Sequence, residues 1–479
     1  MAASAGASMT PLARKLAAKP AALILSRGFC GGRRGLGPTP GVVHAASTHY
    51  DAVVVGLGAF GSSTLYHLAK SGLKVLGIER HSPIGHGLGS SHGASRIIRL
   101  AYFEGLQYGP LLKRSLQLFL DLQDDVAARG GAAAAERLFT RTGMLDVGSV
   151  FERSLESARV HNLQHEVLTG AELNKRFPAY RVPEHWKALL QPDGGVLAPE
   201  RIVQAHVRLA QELGADVAVG EAVTDWQVEG DGSPGAGVTL RLAPAAGGGG
   251  AERVVAASSV VMTPGPWISQ LVPELADLCV PERQVVGWFD IEPSARQHYA
   301  PERFPVFVIE ESAGGAAYYG FPEHGDLPGF KIGLYRHLRQ ELRSPAAVDS
   351  VRRSADAADE AALRAGAAAY FPAAGSGRLL HSSACYFTHT PDGHFLVDRH
   401  PRHPQVILCS ACSGHGFKMS SGIGQLMARM VLDGPGRDAC GGAGGRAAGG
   451  GGGWSELLPF RFDAEGRPGH KEALAHFLR

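Results

Sequence analysis

Residues 51–79 read DAVVVGLGAFGSSTLYHLAKSGLKVLGIE, and this stretch decides the fold. Residues 51–55 are a short, β-branched apolar run of the kind that forms a buried parallel strand. Residues 62–71 carry leucines at helical spacing and are followed by a glycine, which predicts a helix. Residues 74–78 predict a second strand, which ends at Glu79. Together these elements predict a βαβ unit.

The turn between the first strand and the helix has the spacing G-x-G-x-x-G, formed by Gly56, Gly58 and Gly61. In this context Gly56 allows the tight turn, Gly58 lets the backbone approach a pyrophosphate, and Gly61 allows close packing of helix and strand. Glu79 lies where an acidic side chain accepts hydrogen bonds from an adenosine ribose and disfavours a 2′-phosphate. The pattern predicts a site for FAD or NAD and disfavours NADP.

The rest of the chain predicts a nucleotide-binding domain that is interrupted by a second domain. Residues 50–270 have the strand and helix patterns of an α/β fold, and this character returns in residues 379–435. Residues 271–378 instead carry short alternating segments typical of an antiparallel sheet. Within them, the alanine-rich stretch Ala346–Ala369 predicts a helix. We therefore expect residues 271–378 to be inserted into a domain made from the two flanking segments.

Composition excludes several classes of protein. The chain has 479 residues, too many for one ordinary core, and its net charge of +2 gives no reason to expect nucleic acid as a partner. Two glycine runs, Gly247–Gly250 and Gly441–Gly453, predict surface insertions, the second within a Gly-rich insertion and tail at 436–479. Six cysteines are too few for a disulfide framework. Cys409 and Cys412 have CxxC spacing without the second pair of a zinc site, so we expect buried thiols, with a redox pair as the alternative, and no metal.

The first 50 residues hold six basic residues and no acidic one. A basic N-terminus that contains alanine and serine is typical of an organelle transit peptide, so residues 1–49 predict a leader. Arg27-Gly-Phe29 before Cys30 resembles a mitochondrial processing site, which favours the mitochondrion over the chloroplast. A poorly ordered leader with no address is the alternative. The apolar run Ala21–Leu25 is far shorter than the roughly 20 residues of a membrane span, and we expect no membrane association.

Two further segments carry candidate binding residues. Residues 89–99 read GSSHGASRIIR, and a helical conformation would bring the guanidinium groups of Arg96 and Arg99 near one another. Arginine suits bidentate recognition of a carboxylate. Near the C-terminus, Gly414 and Gly416 in the stretch SGHGFK allow the backbone to approach a planar ligand. These segments predict a cleft that holds a planar group beside a carboxylate.

With these motifs the chain resembles, from about residue 50 to residue 434, the sarcosine oxidase family of flavoproteins. That family includes monomeric sarcosine oxidase, N-methyltryptophan oxidase and the peroxisomal sarcosine/pipecolate oxidases. The resemblance rests on five separated motifs in the right order: the glycine fingerprint, Ser91-His-Gly93 with Arg96–Arg99, Tyr318–Pro322, Cys385 with Thr390-Pro-Asp392, and Ser413–Lys418. It implies a Rossmann-like FAD-binding domain of the glutathione-reductase type, an inserted antiparallel-sheet substrate domain and a monomeric protein.

The resemblance also implies roles around the flavin. Cys385 lies where the family attaches FAD covalently through the 8α-methyl carbon. His92, Arg96 and Lys331 match residues that pack around the isoalloxazine ring. Lys331 matches the lysine that promotes the reaction of reduced flavin with O₂.

At the substrate, Arg99 and Lys418 match the pair that binds the amino-acid carboxylate, and Tyr319 matches an aromatic wall of the pocket. The chain departs from the family at one position. Relatives carry a histidine four residues after the flavin-side lysine, whereas this chain has Tyr335 there and His337 two residues later. We expect either Tyr335 or His337 to bind substrate in its place.

The function that the resemblance implies is FAD-dependent oxidation of a secondary α-amino acid to an imine, with O₂ reduced to H₂O₂. The expected substrates are sarcosine, another N-methyl amino acid or L-pipecolate. The alternatives are a dehydrogenase that uses another electron acceptor and a catalytically silent flavin-binding protein. Peroxisomal relatives end in a Ser-Lys-Leu-like tripeptide, whereas this chain ends in Phe477-Leu-Arg479, so the leader is the predicted address.

Overall fold

The computed structural model describes residues 49–130, 137–230, 233, 235–245 and 251–435. Its strands, in chain order, are β1 His49–Val55, β2 Val75–Glu79, β3 Arg96–Ile98, β4 Phe139–Arg141, β5 Met144–Gly148, β6 Glu166–Thr169, β7 Lys187–Gln191, β8 Gly195–Leu197, β9 Asp216–Val219, β10 Glu221–Val228, β11 Val238–Pro244, β12 Arg253–Met262, β13 Val280–Phe289, β14 Val306–Glu310, β15 Ala317–Phe321, β16 Phe330–Leu334, β17 Gln340–Glu341, β18 Leu379–His389, β19 Leu396–Arg399 and β20 Val406–Ser410. Its α-helices are α1 Ala59–Lys70, α2 Gly109–Ala128, α3 Phe151–Val160, α4 Gly170–Arg176, α5 Pro199–Glu212, α6 Ile268–Leu271, α7 Pro345–Asp349, α8 Ala357–Tyr370, α9 Pro372–Gly375 and α10 Ser420–Asp433.

The first sheet contains the predicted βαβ unit. Its strand order is β10-β11-β12-β1-β2-β9, with β20 beside β12 and β19 beside β20. β1 is parallel to both β2 and β12, and α1 connects β1 to β2. Four of the five residues of the apolar run at 51–55 are buried, as expected for a central strand covered by helices. α1 packs against α5 and α10, so the C-terminal helix completes the domain that the N-terminal strand begins.

The second sheet is larger than the sequence pattern indicated. Its strand order is β17-β13-β16-β15-β14-β5-β7-β6, with β18 beside β13. The range 271–378 is therefore too narrow, because β5, β6 and β7 precede it and β18 follows it. The sheet is also mixed, since β5 runs parallel to β14. Leu145 and Val147 of β5 share a core with Phe307 and Ile309 of β14, and this burial holds the distant segments together.

The predicted helix at 346–369 is two helices. Ser344 accepts a hydrogen bond from the backbone at the start of α7, and Asp356 does the same at α8, where it forms a capping box with Asp359. Each cap begins a new helix, which explains the interruption.

Several expectations fall on residues outside the described ranges. These are the leader at 1–48, the glycine runs at 247–250 and 441–453, and the tail at 436–479. Within the described part, every helix is too short or too polar to cross a membrane.

Candidate active site

A cavity of about 650 Å³ runs from the carboxyl ends of β1, β2 and β12 to the face of the second sheet. Its lining includes the glycine-rich turn after β1 and side chains of β14, β15 and β18. Ligands of open α/β folds bind at the carboxyl ends of strands, so this is the expected place for a site.

The turn after β1 fits a dinucleotide. Gly56 has a φ of +86°, and a Cβ there would lie 2.6 Å from the carbonyl oxygen of Thr263. A Cβ on Gly61 would collide with the carbonyl oxygen of Gly56, so both positions require glycine. Gly58 lies on the cavity wall directly before the twelve-residue helix α1. Bare backbone at a helix N-terminus is a binding site for phosphate.

Glu79 lies at the end of β2 and lines the cavity, as predicted. Its carboxylate accepts hydrogen bonds from the backbone N–H groups of Leu57 and His81, both at 2.9 Å. His86 Nε2 lies 3.3 Å from the same carboxylate. Burial acts to raise the pKa of Glu79, but the hydrogen bond from His86 and the backbone donors lower it below its usual value. The carboxylate is therefore ionised and fixed in orientation. His86 belongs to none of the motifs described above.

Arg96–Ile98 form the strand β3. The helical conformation considered for residues 89–99 is therefore wrong. Arg96 donates to the carbonyl oxygens of Ser95 at 2.8 Å and Ser90 at 2.7 Å. β3 pairs with β8, so the backbone at Arg96 is extended and not helical. Arg96 lines the cavity beside the glycine-rich turn, where a guanidinium supplies positive charge.

Lys331 on β16 contacts Gly93 and Ser95, which precede β3. Its Nζ donates to the carbonyl oxygens of Gly93 at 2.5 Å and Ser95 at 3.1 Å and to the Ser95 hydroxyl at 2.8 Å. Burial and the nearby Arg96 lower the pKa of Lys331 well below its usual value. Among the described residues, the cavity wall includes Arg96 but not Lys331.

His92 offers an unused ring nitrogen at the cavity. Its Nδ1 lies 3.4 Å from the hydroxyl of Ser383, while Nε2 is buried and has no hydrogen-bond partner among the described residues. Burial and Arg96 lower the pKa of His92 to about 3, so the ring is neutral. A buried polar atom without a partner is costly, and a ligand in the cavity would satisfy it.

Arg99 and Lys418 come together around Tyr102 at the far end of the cavity. The guanidinium carbon of Arg99 lies 4.3 Å from the centre of the Tyr102 ring, and Lys418 Nζ lies 5.2 Å from it. Lys418 also donates to the carbonyl oxygen of His415 at 2.7 Å. Burial and Arg99 lower the pKa of Lys418 to about 7. The predicted pair is thus one compact cationic site.

Glu104 occupies that cationic site and was missed by the sequence reasoning. Arg99 donates to both oxygens of its carboxylate, at 2.6 and 2.7 Å. Burial opposes ionisation, but Arg99 holds the pKa of Glu104 below its usual value. An acidic residue five positions after the arginine was the available signal. The site therefore holds a carboxylate of the chain itself, which shows that it can hold a carboxylate.

The remaining flavin-side residues lie on one wall. Cys385 on β18 is buried and lines the cavity, as does Tyr319 on β15. Burial raises the pKa of the Cys385 thiol. Gly414 has a φ of +80° and lines the cavity, while a Cβ on Gly416 would collide with the carbonyl oxygen of Ala411. Both glycines are required by the backbone path.

The structure separates Tyr335 from His337. Tyr335 lines the cavity and donates to the carbonyl oxygen of Ser413 at 3.2 Å. His337 is buried outside the cavity, with Nε2 2.9 Å from Asp359, which Arg283 also contacts at 2.8 Å. The expectation that His337 binds substrate is not met at this cavity, because the hydrogen bond to the buried Asp359 holds its ring outside the lining.

Comparisons with known proteins agree with this geometry. The sequence model of the family described as FAD dependent oxidoreductase matches residues 51–430. The chain is 36% identical to monomeric sarcosine oxidase of Bacillus sp. (strain B-0618), over 81% of this chain and 93% of that protein. It is 32% identical to N-methyl-L-tryptophan oxidase of Salmonella heidelberg (strain SL476), over 80% of this chain and 95% of that protein.

Two solved structures share the fold. Glycine oxidase from Geobacillus kaustophilus has a TM-score of 0.65 at 20% identity, over 87% of this chain and 98% of that one. NikD, an amino acid oxidase of nikkomycin biosynthesis, has a TM-score of 0.65 at 21% identity, over 81% and 95%. The predicted α/β architecture and family resemblance are confirmed. Because the family match covers most of the chain and the glycine-lined cavity fits the nucleotide it requires, the chain belongs to the FAD-dependent oxidoreductase family.

Proposed function

We propose that the protein oxidises a secondary α-amino acid, namely sarcosine, another N-methyl amino acid or L-pipecolate. The observation that carries this proposal is the cationic site of Arg99 and Lys418 in the same cavity as the glycine-rich turn. An α-carboxylate bound there would place the adjacent C–N bond inside the cavity. The names of the sarcosine and N-methyl-L-tryptophan oxidases that the chain resembles support the same substrate class.

In this reaction two electrons leave formally as hydride from a C–H bond next to the amine nitrogen, and the amine also loses a proton, so that it becomes an imine. FAD, when bound, would supply the acceptor that passes the two electrons, with two protons, to O₂ to give H₂O₂. The chain's own residues would bind and orient the cofactor and the substrate. Gly58 and the N-terminus of α1 would hold the pyrophosphate, Glu79 the ribose, and Arg96 and His92 the ring end. The low pKa of His92 keeps its Nε2 available as a hydrogen-bond partner.

We infer that Cys385 is the site of covalent attachment. Its thiol is buried and lines the same cavity as the glycine-rich turn; burial raises its pKa, and the charge of Arg96 acts against that rise. Acid precipitation of the wild type should leave a yellow pellet, and Cys385→Ala should release its flavin. Mass spectrometry of the peptide around Cys385 gives an independent reading. Flavin that separates completely from the wild type would contradict the attachment.

We infer that Lys331 supports the reaction with O₂. Three oxygens of Gly93 and Ser95 hold its Nζ, and burial together with Arg96 lowers its pKa well below the usual value. Lys331→Met should slow reoxidation in stopped-flow mixing with O₂ and largely spare reduction by the amine. The opposite pattern would contradict this role.

The decisive experiment is an anaerobic titration of the purified flavoprotein with candidate amines. Sarcosine, N-methyl-L-tryptophan and L-pipecolate should bleach the flavin absorbance, and the extent of bleaching ranks them. An oxygen electrode and a peroxide assay then separate an oxidase from a dehydrogenase. Failure of every secondary amino acid to bleach the flavin would contradict the proposed function.

We also propose a mitochondrial address and a monomeric state. The basic composition of residues 1–49 supports the address, and a fluorescent fusion that carries only these residues tests it. The relatives named monomeric sarcosine oxidase support the monomer, which light scattering after gel filtration would check.

A further inference from the structure

The cavity continues past Arg99 to a second guanidinium that the proposed chemistry does not use. The ring of Phe103 lies between the two, with the guanidinium carbon of Arg99 4.0 Å from its centre and that of Arg153 5.3 Å away. Arg153 belongs to α3, is half exposed and lines the cavity. The same cavity lining includes the apolar side chains of Val150 and Val308. Two cations therefore lie on one aromatic ring at the substrate end.

Arg153 has spare hydrogen-bonding capacity, and its acidic neighbour Glu310 already accepts from three groups. One amino group of Arg153 lies 3.3 Å from Glu310 Oε2. The Glu310 carboxylate also accepts from the hydroxyl of Ser149 and, at 3.4 Å, from the backbone of Gly314. A guanidinium has five N–H donors, and among the described residues Glu310 is the polar partner of Arg153. An anion that entered the cavity would find free donors on Arg153.

A second carboxylate of the cavity lining, that of Glu104, is already bound to another residue. Glu104 binds Arg99 through both oxygens and is not a partner of Arg153. A ligand with two carboxylates a few methylene groups apart would place one at Arg99 and Lys418 and the other at Arg153. Its methylene groups would pack on Phe103 and the apolar wall. A neutral side chain of equal size would leave the Arg153 donors unused.

We propose that Arg153 is a side-chain carboxylate subsite, so that the enzyme prefers secondary amino acids with an acidic side chain over neutral ones of the same shape. This inference rests on the proposed function, since it names the substrate class of that site. The preference is the difference in affinity between the acidic side chain and its neutral amide analogue. The Arg153 guanidinium would create this difference, because only the acid carries a negative charge.

The test compares N-methyl-L-glutamate with N-methyl-L-glutamine, which differ by one amide. The wild type should give at least a tenfold higher kcat/KM for the acid. Arg153→Gln should reduce kcat/KM for the acid at least tenfold more than for sarcosine. Arg159→Gln is the matched control, because Arg159 is an exposed arginine on the same helix and does not line the cavity. It should leave every value unchanged.

Three kinetic results would overturn the subsite. The first is equal kcat/KM for the acid and the amide in the wild type. The second is a preference that persists in Arg153→Gln, and the third is a loss in that variant that falls equally on sarcosine. Calorimetry with glutarate and its monoamide reads the same discrimination without turnover. If sarcosine is not oxidised but glutarate binds tightly and this binding requires Arg153, the proposed function fails while the subsite stands. Equal binding of glutarate and its monoamide would overturn the subsite.

Discussion

Lys418 makes carboxylate binding depend on pH in a way that can be calculated from the site. Burial and Arg99 lower its pKa to about 7, so the ammonium loses its proton as the pH rises above 7. A charged hydrogen bond to a carboxylate contributes about 1.5–3 kcal/mol, which corresponds to roughly 10- to 150-fold in affinity. Because half of the ammonium is already deprotonated at a pH of about 7, the dissociation constant of a simple carboxylate should rise at least ~5-fold between pH about 7 and 9.

Neighbouring groups titrate outside this range. Burial lowers the pKa of His415 to about 4 and raises that of Asp146 to about 6. Arg99 holds the pKa of Glu104 below its usual value against the effect of burial. The loss of affinity above pH 7 therefore belongs to Lys418.

Acetate is the suitable probe, because it lacks an amine and is fully ionised across this range. Its binding is measured from the change in flavin absorbance or by calorimetry. Lys418→Arg keeps a positive charge at every pH and should bind acetate with a constant affinity. Lys418→Met should bind it weakly throughout. An affinity of the wild type that does not change with pH, or a decline that persists in Lys418→Arg, would refute the reasoning.

Three further predictions concern the same cavity. Glu104→Gln should tighten acetate binding by ~10-fold at pH about 6, because Arg99 no longer holds a carboxylate of the chain; calorimetry that finds equal or weaker binding contradicts this. Lys418→Met should raise the free energy of unfolding, and the gain should be largest below pH 7, where the native wild type buries the charged ammonium. The gain should shrink by about 1.4 kcal/mol per pH unit from pH 7 toward pH 10.5, the ordinary pKa of lysine. Urea unfolding at three pH values checks the sign of this change. Gly416→Ala should destabilise the protein by ~1–3 kcal/mol, whereas Gly235→Ala, whose Cβ would meet open space, should not; equal urea midpoints would contradict the backbone clash.

The first sheet was predictable from sequence because its signals are local. The buried strand at 51–55, the glycine-rich turn and the helix that follows lie within thirty residues, and each element is specified by its own residues. The second sheet was not. β5 and β14 are more than 150 residues apart, and their parallel pairing depends on a shared core that no local period records. Periodicity identifies a strand but not its partner.

The candidate site also has a part that the sequence motifs predict and a part that they do not. Cys385, Arg96 and Lys418 lie in motifs, and in the structure all three line the same cavity. What the motifs leave out is the counter-charge. A buried guanidinium without a partner costs several kcal/mol, so a site built around Arg99 must satisfy it when no substrate is bound. Glu104 does this, and it also makes every incoming carboxylate compete with a carboxylate of the chain. Affinity at this site is thus set by an exchange of partners on Arg99, and the residue that governs the exchange is one that no motif contains.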